Sequence, residues 1–267
     1  MLDKVKALLE RLDVSYQALI EIDLKEDRSM ATFIVDGQSA EAVWRQLTQI
    51  EEQTELTPLI LGGAESFEAH LETLGLAYDE PDLSVAEILE ESREIDFADL
   101  IAARLEDFVY EQGEWPDSDN AFDPAKSPQV LDPGAASAGK EHRGKGVFES
   151  EKEIYIGLID KSKTTAMPSY ELPVWLLFGG FGDCPQPYQH PTVLKHWLDA
   201  HEARLMAIGS DYLQCDVARP PQNRDEALKL AREHFAYSRC PIEQGPGQLA
   251  PYAAQLLGNH TWNFWWE

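Results

Sequence analysis

The stretch from Asp117 to about Lys145, DSDNAFDPAKSPQVLDPGAASAGKEHRGK, has no apolar period and is rich in Pro, Gly, Ser and charge. A run this long without regular structure is uncommon inside one compact domain. It divides the 267-residue chain into 1–116, an acidic N-terminal α+β region; 117–148, a linker or long loop; and 149–267, a C-terminal domain. The fold class that accommodates this is α+β, with a mixed or antiparallel sheet packed with helices, or two α+β halves joined by a long loop.

Ahead of the loop, Leu2, Val5, Leu8, Leu9 and Leu12 recur at helical spacing. YQALIEIDL and SMATFIVDG flank KEDR and read as a hairpin, without an Asn-Gly turn. Ser39 is placed to cap a helix carrying Val43, Trp44, Leu47 and Ile50, which ends before the short strand PLILGG. A short helix around Phe67, Leu71 and Leu74 is expected to close at Gly75. In LSVAEI, Ser84 and Glu87 have capping-box spacing, and Leu83 and Ile88 that of a hydrophobic staple, so another helix starts there. Phe97, Leu100, Ile101, Leu105 and Phe108 mark one more helix.

Beyond the loop, EIYIGLI and LPVWLLF read as strands, followed by a helix with Val193, Leu194, Trp197 and Leu198 inward. ARLMAI and DYLQCDV form a hairpin around Gly209 and Ser210. Asn223 and Glu226 cap the next helix, and Pro251 fits only the first turn of another, which Gly258 ends. In the closing WNFWWE, strand alternation sends Trp262, Phe264 and Trp266 to one face and Asn263, Trp265 and Glu267 to the other. One set fills the core; the other, with Trp265, contributes to a half-buried groove.

The C-terminal part, from about Ile154, resembles the bacterial family called domain of unknown function 4253. The resemblance is carried by LPVWLLFGGFGDCP, HPTVLKHW, VARPPQNRDEALKLAREHFAY, QGPGQLAPYAAQLLG and WNFWWE, and more weakly upstream by VWRQLTQIEEQTELTPLILGG. It departs from the family pattern at Phe181, Gly182 and Ser238, where Trp, Asn and Cys are usual. The resemblance implies an architecture and no particular reaction.

Chemistry concentrates in FGGFGDCPQPYQHP. Cys184 follows an apolar segment and flexible glycines, and His190 lies six residues on. A thiol nucleophile would take His190 or His234 as its base and Asp183 or Glu267 as the acid that orients it. The same residues also suit a plain tight corner with a buried cysteine, and that structural reading is preferred. The glycines lack phosphate-loop spacing, and the histidines show neither i,i+4 pairing nor an HExxH pattern, so no cofactor and no metal is expected.

Charge bears on partners. Lys and Arg number 22 against 48 Asp and Glu, a formal charge of −26, which disfavours nucleic acid and anionic membranes. Met1–Asn120 alone carries 30 acidic and 8 basic residues. Three cysteines without a CxxC pair, no signal-peptide core and no membrane-length apolar run point to the cytoplasm. The expectation is a non-catalytic, immunity-like module that binds a basic protein partner through an acidic surface, with Glu87, Glu90, Glu91, Glu94 and Trp265 as candidate contacts. The alternative is a hydrolase or acyl transferase built on Cys184.

Overall fold

The computed structural model describes residues 1–78, 80, 83–112, 148, 151–161 and 167–267. The expected linker lies outside them except for Phe148, which is buried. Among the described residues seven strands form a mixed sheet: β1 (Gln17–Leu24), β2 (Arg28–Val35), β3 (Leu56–Gly62), β4 (Ile154–Asp160), β5 (Ala203–Ile208), β6 (Tyr212–Val217) and β7 (Thr261–Trp265). Their order is β1-β2-β4-β3-β5-β6-β7, with every adjacent pair antiparallel except the parallel β3 and β5. Strand β4 lies between β2 and β3, so the sheet interleaves sequence from both sides of the aperiodic stretch.

Strand alternation gives each sheet face its own core. On one face Phe33, Ile60 and Ile156 pack with α1 (Leu2–Arg11) and α2 (Gly37–Gln49). On the other, Met30, Leu59, Ile159, Leu213, Trp262 and Phe264 join the remaining apolar helix faces. These come from α4 (Ala64–Tyr78), α5 (Val85–Arg93), α6 (Phe97–Gln112), α7 (Leu172–Trp175), α8 (His190–His201), α9 (Arg224–Tyr237), α10 (Cys240–Glu243) and α11 (Leu249–Leu256). The four-residue α3 (Glu51–Thr54) leads into β3.

Both expected hairpins form. In the first, Glu26 and Asp27 take left-handed backbone at φ 60° and 55°, supplying the turn geometry that Asn-Gly usually provides. Ser84 Oγ accepts the Glu87 N–H at 3.3 Å, and Asn223 Oδ1 accepts that of Glu226 at 3.0 Å. Three local expectations are corrected. The cap of α2 is Asp36, whose Oδ1 accepts the Gln38 N–H at 2.9 Å, rather than Ser39. Helix α4 runs through Gly75 to Tyr78. LPVWLLF is not a strand: Leu172–Trp175 is a short helix with Pro173 in its first turn. A fully buried apolar run carries no period that separates strand from helix, and proline is tolerated at a helix start.

Candidate functional site at the Cys184 corner

After α7 the chain turns sharply. The Phe178 N–H donates to the Pro173 carbonyl at 2.8 Å, and the Gly180 N–H to that of Pro185 at 2.9 Å. Gly179 and Gly182 have φ of 121° and 49°. A Cβ on Gly179 would lie 2.3 Å from the Pro185 oxygen and 2.6 Å from His190 Nε2, so glycine is required there by both conformation and space.

The corner brings two of the five candidate catalytic residues together. Cys184 Sγ lies 3.8 Å from His190 Nε2, and both residues are buried, at 4% and 0% exposure. His190 Nδ1 lies 2.6 Å from the Tyr237 hydroxyl, and its ring is enclosed by Phe178 and Trp266. Its Nε2 edge also meets the Pro185 carbonyl. Nδ1 shares a hydrogen with the Tyr237 hydroxyl, and Nε2 faces both the thiol and the Pro185 carbonyl. A carbonyl only accepts, so a proton on Nε2 would serve Pro185, leave Nδ1 to accept from the Tyr237 O–H, and turn an N–H rather than a lone pair toward the thiol.

Electrostatics agree with that geometry. Burial pushes the Cys184 thiol up, opposed by Arg104. Burial, reinforced by the Arg104 charge, lowers His190 to about 3. Burial likewise raises the Tyr237 phenol. The chain Cys184–His190–Tyr237 is consequently neutral near pH 7.

The other candidates are not bonded to this pair. His234 is buried among Trp197, Trp262 and Phe264, with Nδ1 3.0 Å from the Tyr252 hydroxyl. The Asp183 carboxylate pairs with Arg239. Glu267 reaches the corner through its main chain, against which a Cβ on Gly182 would press at 2.5 Å. Among the described residues no carboxylate is bonded to His190; a phenol holds it. Trp265, expected beside a groove, is buried, and its indole N–H donates to Gln244 Oε1 at 3.0 Å. Glu87, Glu90, Glu91 and Glu94 are all exposed on and just after α5.

Beside Cys184 opens a cleft of about 240 Å³, lined also by Arg104, Asp107, Asp183, Gln186, Gln189 and Arg239. Arg104, on α6, donates from Nε to the Ala236 carbonyl at 2.6 Å and from Nη2 to the Asp183 carbonyl at 2.7 Å and that of Tyr237 at 3.4 Å. Ala236 and Tyr237 end α9, where carbonyls lack helical partners and the helix dipole favours a cation. Neither Arg104 nor Tyr237 stood out in sequence: one is 79 residues from Asp183, the other a helix-end tyrosine 47 from His190.

Among the described residues no group of three or more His, Cys, Asp or Glu side chains is placed to hold a metal ion, and no helix is long and apolar enough to cross a membrane. No curated protein and no solved structure matches the chain. Residues 161–267, which hold every part of the corner except Arg104 and Asp107, match the family described as Domain of unknown function (DUF4253).

Proposed function

We propose that the protein is a non-catalytic interaction module whose acidic helical surface binds a basic protein partner, with immunity-like neutralisation of that partner as its concrete form. The observation that carries this reading is α5. Glu87, Glu90, Glu91 and Glu94 are exposed, and among the described residues none of them is in an ion pair. Such unmatched charge steers a cationic surface and fixes its register more than it adds affinity. The same sign prevails across a chain of net charge −26.

The test compares the intact chain with a variant carrying Gln at 87, 90, 91 and 94, each immobilised and exposed to native lysate at low and moderate salt. One basic protein should be retained stoichiometrically by the wild type, be released as salt rises, and be lost by the variant. Equal retention by both would overturn the reading.

A second reading, a cysteine-dependent hydrolase or acyl transferase, is favoured by one observation, the 3.8 Å approach of Cys184 to His190 beside a cleft. It requires a thiol that ionises near neutrality.

A further inference from the structure

We propose that the cleft beside Cys184 binds a small oxyanion, the carboxylate or phosphate group of an organic ligand, with Arg104 as its cationic anchor and the amides of Gln186 and Gln189 as donors. This goes beyond the partner-binding reading and does not depend on the α5 acids.

Arg45, Arg93, Arg204, Arg219 and Arg239 each meet a carboxylate. Arg104 does not: its hydrogen bonds run to the three main-chain carbonyls, and among the described residues no ion pair involves it. Those carbonyls occupy Nε and Nη2 and fix the plane of the guanidinium, leaving Nη1 outside the set. A half-buried cation hydrogen-bonded only to neutral oxygens, with the exposed Asp107 as an acid near it, keeps an incompletely matched charge in a poorly solvated place. An anion entering the adjoining cleft would meet a donor already oriented, which lowers the ordering cost of binding.

The glutamines supply the rest. In the 3-10 turn Pro187–Gln189, the Gln186 side chain accepts the Gln189 N–H, and Gln189 Oε1 accepts the Gln186 N–H at 2.9 Å. Both amide oxygens are thus committed to the turn, and both NH2 groups remain as donors at the cleft. Asp183 already faces Arg239, so its carboxylate does not neutralise Arg104. Asp107, the other acid of the lining, is exposed, where solvent and salt screen it.

The isotope-labelled full chain is titrated with sodium phosphate and, separately, with sodium succinate, at constant ionic strength against sodium chloride. The signals followed are Arg104 Nε–H and the Gln186 and Gln189 NH2 groups. Saturable shifts with at least one probe are expected. Gln189→Glu keeps an oxygen for the turn but replaces the donor with a negative charge, and should weaken binding about tenfold or more. Gln186→Glu, at an exposed position in the same turn, gives an independent second variant. Response to phosphate alone assigns a phosphate ligand, to succinate alone a carboxylate, and to both the shared oxyanion chemistry. No saturation above chloride, or saturation that both variants leave unchanged, overturns the proposal.

Discussion

His190 stays neutral because its surroundings disfavour a proton on balance. Burial and the Arg104 charge both oppose the imidazolium and outweigh the Pro185 carbonyl, which favours it. Cys184 faces Nε2 of that ring and is itself held in the thiol form by burial. Alkylation by iodoacetamide, followed by mass spectrometry, should therefore be slow at Cys184 in the folded chain at pH 7. We expect about a tenfold or lower rate than for the same cysteine in urea, rising with pH to beyond about 9. A plateau below about pH 8 would mean a preformed thiolate and would favour the enzymatic reading.

At the scale of elements, α3 has four residues and owes its position to one carboxylate. Glu51 is buried; it accepts from Thr57 Oγ1 at 2.8 Å, lies 3.3 Å from Lys161 Nζ and pairs with Arg204. Those partners stand at the start of β3, just after β4 and on β5. Removing the carboxylate takes from Arg204 its acid and leaves Lys161 with only the exposed Glu52. Glu51→Ala should cost about 2–4 kcal/mol in denaturant unfolding, against less than about 1 kcal/mol for the exposed Glu52→Ala. Elements of this kind divide by what their residues say locally. The Ser84 and Asn223 caps could be read because cap and partner lie three residues apart. LPVWLLF could not, because burial on every side erases the periodicity that tells a strand from a helix. The corner was legible as a turn from its glycines and prolines, and Cys184 and His190 could be paired at six residues. Arg104 could not, since its partners are set by how α6 packs on α9, and an arginine within a helix reads as a solvated side chain.

Across the whole molecule, His70, His190 and His234 are buried with their imidazoles lowered chiefly by burial. Each takes up a proton more readily unfolded, near pH 6.5, than folded. Stability from these groups is therefore complete above about 6.5 and is lost as pH falls from there toward the folded values, at about 1.4 kcal/mol per pH unit per histidine. Between pH 6.5 and 5, His190, lowered to about 3, should subtract about 2 kcal/mol. Denaturant titrations at the two pH values check this. His70→Gln, which retains a donor for the Ile208 carbonyl now 2.9 Å from Nε2, should shrink the total loss. An equal loss in the variant would place the acid sensitivity elsewhere. The position of β4 between β2 and β3 has a temporal side. A ribosome releases β3 about a hundred residues before it completes β4, a delay of roughly 5–20 s at ordinary elongation rates. Throughout that interval the nascent β2 and β3 present open hydrogen-bonding edges flanked by apolar side chains, the situation in which strands recruit wrong neighbours. Like acidic charge in the first 120 residues would keep emerging copies apart until β4 arrives to close the gap.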